Sequence, residues 1–202
     1  MSNMTQKLND LVSFVEFTHL FRAVERRIFI QGKEEFENDA EHSYQLALVA
    51  WYIITQEKLP LKLEKVFAYA LAHDLVEAYA GDMRFDAPTD VKKAAEHEAL
   101  KRIKLTFPRF KMLHDTIRRY EAKLDPESQF VFALDKLLPD INTFLDNGRL
   151  WQVGGVSFKE RLGVISEKLA HSAIIERYHK EFQEMVNRYQ NTLFPLDRED
   201  NE

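Results

Sequence analysis

Cysteine is absent from the 202 residues, which removes disulfides and thiolate-bound zinc together and leaves His, Asp and Glu as the available metal ligands. Glycine is scarce, at six residues, and no run alternates apolar and polar side chains convincingly, so strands have little to build on. Long apolar stretches are missing too. Nothing approaches the roughly 18 residues that cross a bilayer, and the polar opening Met-Ser-Asn-Met-Thr-Gln-Lys leads into no apolar run. Nor does positive charge predominate: 28 basic residues against 33 acidic give a formal charge of −5, which offers no broad attraction for nucleic acid or an anionic membrane. That balance still admits a small phosphorylated ligand. Together these absences predict a cytoplasmic protein with neither nucleic acid nor membrane as partner.

What the chain does contain is apolar residues three and four apart over most of its length, and 45% of it is hydrophobic, enough to fill a core at this size. The expected fold is all-α, a single helical bundle over residues 1–195 followed by an acidic, disordered tail at 196–202. A first helix over 5–24, carrying Leu8, Leu11, Val12, Val15 and the Phe14/Phe17/Phe21 set, reads as core. Arg22, Arg26 and Arg27 follow it, read either as a solvated helix end or as phosphate contacts at a pocket rim, and 32–38 reads as a surface loop. Asn38 or Asp39 caps a helix reaching Glu57. A central helix runs from Lys62 to Gly81, a residue suited to a helix C-terminus. After the loop 83–88 come a helix capped by Thr89 or Asp90, another beginning at Pro108, and a long one capped by Asp125 with Pro126 at its first position. Residues 147–156 read as a mobile loop whose Leu150, Trp151 and Val153 serve as lid or interface. Helices over 157–169 and 172–193 close the bundle.

The chemistry concentrates in the stretch Ala-Leu-Ala-His-Asp-Leu-Val-Glu-Ala-Tyr-Ala-Gly-Asp at 70–82. On one continuous helix Ala70, His73, Asp74 and Glu77 share a face beside the apolar stripe Phe67, Leu71, Leu75 and Ala78. Carboxylates on a face next to the core need a cation or a wet cleft. His42 heads the apolar stripe of its own helix, and Asp135 falls within the stripe Val131, Leu134, Leu138, Ile141 and Leu145. Two imidazoles and two carboxylates are thereby available to one centre, a set that suits a divalent ion (Mn²⁺, Fe²⁺, Co²⁺, Ni²⁺ or Zn²⁺, with Mg²⁺ also admitted) and leaves positions for water and substrate. The alternative from spacing alone is a buried polar network. His114-Asp115 is an internal control, since Arg119 stands where the central stretch has Ala78 and Arg118 where it has Glu77, so it lacks the carboxylate. His171 and His179 have no inward carboxylate companions and read as structural or surface residues.

The segments Asn38-Asp39-Ala40-Glu41-His42-Ser43, then 73–82, then Leu134-Asp135-Lys136-Leu137 resemble the HD-domain superfamily of metal-dependent phosphohydrolases. They look most like its 5′-deoxynucleotidase branch, with motifs close to E-H-S, H-D-x-x-E-x-x-x-G-D and D over residues 12–145. The resemblance implies His42, His73, Asp74 and Asp135 as metal ligands and Glu77 as the group that polarises or deprotonates the attacking water. It places Asp82 near the deoxyribose hydroxyl and implies a homodimer acting on a small phosphorylated nucleotide. The branch also uses an Arg-Trp pair for phosphate and sugar selection; here Arg26 is the match for the arginine, and Phe29 stands in place of the tryptophan. A deoxynucleoside triphosphohydrolase would use the same centre, and a nucleotide sensor that kept the metal without turnover is the rival from another class. Branches that carry Glu-Asp after His-Asp, or a Gly-Tyr-Pro motif, fit less well.

Overall fold

The structure, a computed structural model, describes residues 3–82, 88–163 and 166–194. In chain order it has α1 (Asn3–Arg22), a hairpin of β1 (Glu25–Phe29) and β2 (Phe36–Asn38), α2 (Asp39–Gln56), α3 (Leu63–Ala72), α4 (Glu77–Ala80), α5 (Thr89–Thr106), α6 (Lys111–Glu121) and α7 (Pro126–Leu145). The short α8 (Arg149–Val153), α9 (Phe158–Gly163) and α10 (Ser166–Leu169) then lead to α11 (Ala173–Arg188) and α12 (Gln190–Leu193). The fold is all-α, and α7 is its axis: α2, α3, α6, α10 and α11 all pack on it.

Local chemistry fixes the two helices that matter most. Asn38 Oδ1 accepts from the backbone of Ala40 and Glu41 while Glu41 Oε2 accepts from the Asn38 amide, a reciprocal cap that starts α2. Asp125 starts α7 in the same manner with Ser128, and Pro126 occupies a position whose N–H has no helical partner. One core cluster gathers Leu46, Ala50 and Ile53 of α2, Val66 and Tyr69 of α3, and Val131, Leu134 and Leu138 of α7. A second joins Phe17 and Phe21 of α1 to Leu75, Val76, Ile103 and Ile117.

Several expectations from sequence are corrected. The central helix is not continuous to Gly81: α3 ends at Ala72, and the chain then winds more tightly, with Glu77 N–H bonded to Asp74 C=O at 2.8 Å and Leu75 N–H to Ala72 C=O at 3.3 Å. With about three residues per turn in such i→i+3 bonding, Asp74 and Glu77 still share a face, but Leu71 is left 58% exposed rather than in the inward stripe. Leu145, at the far end of the α7 stripe, is also exposed. Residues 25–38 form a hairpin rather than a helix end and loop, with Phe29 stacked on Phe36 at 4.5 Å. The alternation was invisible to hydropathy because one of its inward residues is an arginine.

Only part of α1 is core. Phe17 and Phe21 are buried, whereas Leu8, Leu11, Val12 and Val15 are between 46% and 58% exposed, because among the described residues nothing covers that face. The helix after Pro108 begins three residues later, at Lys111, since 107–110 closes a turn. Within 147–156 the chain forms the short helix α8 rather than a loop throughout, with Trp151 buried and stacked on Phe194 at 5.0 Å. Of the expected helix over 157–169, residues 158–163 and 166–169 are helical, with 164–165 outside the described residues, and the helix expected over 172–193 divides into α11 and α12. The loop 83–87 and the tail 196–202 lie outside the described residues.

Candidate metal centre

Four elements converge. α2 delivers His42 at its first turn, the end of α3 delivers His73, the tight turn after it delivers Asp74, and the middle of α7 delivers Asp135. One ligand atom from each lies within 4.8 Å of those of the other three. His42 Nε2 is 2.9 Å from Asp135 Oδ1, which is 3.6 Å from His73 Nε2, which in turn is 2.9 Å from Asp74 Oδ2. His42, His73 and Asp135 are buried, and Asp74 is mostly so.

The surroundings orient these side chains. His73 Nδ1 sits 3.0 Å from the Ala70 carbonyl, and an N–H placed there turns Nε2 inward, where the neutral ring offers its lone pair to a cation. Nε2 is buried and makes no aligned hydrogen bond even to Asp74 Oδ2 at 2.9 Å, so the carboxylates face it as they would face a shared cation. Glu37 Oε1 stands 3.4 Å from His42 Nδ1, and the Tyr120 ring packs edge-on against His73. Neutral imidazole and carboxylate donors without sulfur suit Mn²⁺, Fe²⁺, Co²⁺, Ni²⁺ or Zn²⁺. The residues therefore fit a divalent ion.

Electrostatics agree that the cluster is short of positive charge. Burial works against a charged His73 ring, yet the carboxylates of Asp74 and Asp135 push its pKa up to about 10. Burial also disfavours charge on Asp74, and the His73 ring and Arg26 overcome it to hold the carboxyl below its ordinary range. Arg26, projecting inward from β1, brings Nη1 to 2.6 Å from Asp74 Oδ2 and 3.2 Å from Asp39 Oδ1, with Nε 3.3 Å from Glu37. Arg22 and Arg27 are exposed, so of the three arginines Arg26 is the one that reaches the cluster.

Glu77 forms a second acidic group with Asp74 and Asp39, ligand atoms again within 4.8 Å. Burial first, then the Asp74 and Asp39 charges, push its pKa up to about 9. Without added positive charge it keeps its proton at neutral pH. Asp82 follows Gly81, whose φ of +75° ends the turn. Loss of solvent raises the Asp82 carboxyl against the pull of Arg26, with Asp74 adding to the rise.

Three participants escaped the sequence reading. Asn38 or Asp39 is the expected cap; Asn38 takes that part and Asp39 is fully buried, its pKa pushed up to about 6 by burial and Asp74 against the pull of Arg26. Its signal was position: it precedes His42 by three residues and so shares a helical face with it. Glu37 was hidden in the unrecognised hairpin. Lys136, 2.6 Å from Asp135 Oδ2, carried no signal, because adjacent helical residues do not ordinarily face each other. Among the described residues, neither His114-Asp115 nor His171 and His179 enter a metal-competent group; Asp115 pairs outward with Arg118.

Comparison with known proteins agrees with this geometry. Residues 19–176 match the HD domain family. The 5′-deoxynucleotidase HDDC2 of Danio rerio is 26% identical over 140 residues, 64% of this chain and 66% of that protein, so the match spans just under two thirds of the relative's length. A predicted metal-dependent phosphohydrolase from Magnetospirillum magnetotacticum MS-1 superposes with a TM-score of 0.76 at 24% identity, covering 90% of this chain and 95% of that one. A conserved hypothetical protein from Pyrococcus furiosus gives 0.57 at 22% identity over 88% and 99% of the two chains. At these identities the structural likeness is one of fold. The family match spans all four converging residues, and the chain belongs to the HD-domain family, the superfamily of metal-dependent phosphohydrolases that its motifs resemble.

Proposed function

We propose that the protein is a divalent-metal-dependent phosphomonoesterase that releases phosphate from deoxynucleoside 5′-monophosphates. The observation that carries this reading is the placement of a guanidinium and a protonatable carboxylate, Arg26 and Glu77, against one edge of the His42/His73/Asp74/Asp135 cluster. A divalent ion held by those four residues supplies Lewis acidity and lowers the pKa of a water beside it. Arg26 provides a planar pair of donors for phosphate oxygens and charge for the transition state. Glu77 orients the attacking water and accepts its proton once the neighbouring carboxylates are neutralised by the ion. Asp82, one residue beyond the turn, is the acidic group assigned to the sugar hydroxyl. The deoxynucleotidase relative supports the substrate class.

The partner we assign is a second copy of the chain. Tyr44, Leu48, Trp51 and Tyr52 line the outer face of α2 at 44% to 66% exposure, and no Asp, Glu, Lys or Arg occurs between His42 and Gln56. Such an aromatic, uncharged patch is what interface cores contain.

The deciding experiment loads the stripped protein with Mn²⁺ or Co²⁺ and measures phosphate release from matched ribo- and deoxynucleoside monophosphates, with Asp74→Ala as the contamination control. Deoxy-selective release that vanishes in the variant supports the reading. Tripolyphosphate released from triphosphates would move the assignment to a triphosphohydrolase, and tight nucleotide binding without release would make the protein a sensor.

A further inference from the structure

The two oxygens of Asp135 face different partners. Oδ1 meets the two imidazoles of the cluster, 2.9 Å from His42 Nε2 and 3.6 Å from His73 Nε2, whereas Oδ2 meets Lys136 Nζ at 2.6 Å. The Lys136 contact is not a default of the helix, since successive residues project about 100° apart. The Lys136 stem has to fold back to reach its neighbour, which carries its ammonium to 5.6 Å above the ring of Phe132, one turn earlier, while Lys123 covers the same ring at 4.0 Å. Oδ2 is itself buried, and beyond that ammonium no described group donates to it.

We propose that Lys136 is a positioning residue that limits Asp135 to a single oxygen toward the metal and so keeps one coordination position open for water or phosphate. The inference rests on the four-ligand centre proposed above but not on the identity of the substrate. Without the ammonium, a buried and unpartnered Oδ2 has one remaining way to be satisfied, which is to turn onto the ion beside Oδ1. The chelated ion would be held more tightly and would carry fewer exchangeable waters. This pairing of tighter binding with poorer function distinguishes positioning from simple support of the fold, which would loosen the ion.

The test uses the full chain with Mn²⁺, in wild type, Lys136→Met and Lys136→Arg. Calorimetry gives the affinity, and water-proton relaxation counts the exchangeable waters on the bound ion, so neither readout needs a substrate. Expected for Lys136→Met is binding roughly tenfold or more tighter, from loss of a nearby positive charge, with relaxation enhancement lowered by about one water. Lys136→Arg keeps the cap and returns both toward wild type. Unchanged relaxation in Lys136→Met, or weaker binding, overturns the proposal even if phosphate release is observed. A wild-type chain that binds no Mn²⁺ overturns the centre itself. Normal positioning with no activity on deoxynucleotides overturns only the substrate reading.

Discussion

Loading the cluster with a divalent ion is expected to stabilise the fold by an amount that linkage sets. The proposed ligands come from α2, from the end of α3 and its following turn, and from α7, with His42 and Asp135 93 positions apart, so an unfolded chain does not assemble them. An ion that binds only the folded state adds RT ln(1 + [L]/Kd), about 2.7 kcal/mol at a hundredfold excess over Kd. At this chain length each kcal/mol moves Tm by roughly 2–4 °C, which predicts a rise on the order of 5–10 °C. The assay is calorimetric unfolding after EDTA stripping and again at two Mn²⁺ concentrations a decade apart, where the second decade adds about 1.4 kcal/mol more. Asp135→Ala removes the ligand shared by both histidines and abolishes most of the increment. Asp115→Ala, in the other His-Asp pair, is exposed and bonded only to Arg118, so it retains the increment in full. Equal rises in wild type and Asp135→Ala, or no rise in wild type at a concentration where binding is saturated, would refute the assignment of these four residues to one ion.

The other expectations are quicker to state. Glu77→Gln keeps the metal-induced rise in Tm but lowers kcat on the order of 10²–10⁴-fold, the usual share of a positioned acid or base, read by phosphate release under saturating metal. Glu37→Ala leaves the His42 Nδ1 edge without its carboxylate neighbour and weakens Mn²⁺ binding by about 10–100-fold in calorimetric titration. Asp125→Ala removes the cap of α7, costing about 1–2 kcal/mol at neutral pH by denaturant unfolding. Although burial opposes it, Arg119 and the Ser128 amide hold the Asp125 carboxyl below its ordinary range. Its contribution is therefore complete above the unfolded-state value near ~3.9 and fades as pH falls below that, so wild type and variant converge in acid. Trp51→Glu puts a charge into the uncharged α2 face and converts the proposed dimer to monomer in light scattering without altering helix content.

How far the sequence carried is clearest at the residues where it stopped. Apolar spacing located α2 and α7, and side-chain chemistry located their starts, because Asn38 and Asp125 act through the next three residues of their own chain. His42 and Asp135 were legible for the same reason, each being a polar residue set in an apolar stripe. The tight turn after Ala72 was not, since a 3.6-residue and a three-residue winding both bring Asp74 and Glu77 to one side over a single turn. The hairpin failed differently. Its inward Arg26 is polar, so a period of two in position leaves no period of two in hydropathy, and Glu37 goes unread along with it.

The charges around the cluster share a feature that bears on function. Glu37, Asp39 and Arg26 are buried or nearly so and balance one another through ion pairs that exist only when the hairpin closes over α2. A buried charge is tolerated when its partner is in place, so each of these residues makes sense beside the others and none makes sense alone. The four residues proposed as ligands are spaced by helical geometry, and the sequence alone brings them together as candidates. The charges that surround them are placed by tertiary closure, and it is this closure that carries Arg26 from a stretch resembling a solvated helix end to within 2.6 Å of Asp74. The arginine proposed to hold phosphate and the aspartate proposed to hold the metal are therefore set against each other by folding itself, before a substrate arrives, which is the preorganisation that electrostatic stabilisation of a transition state requires.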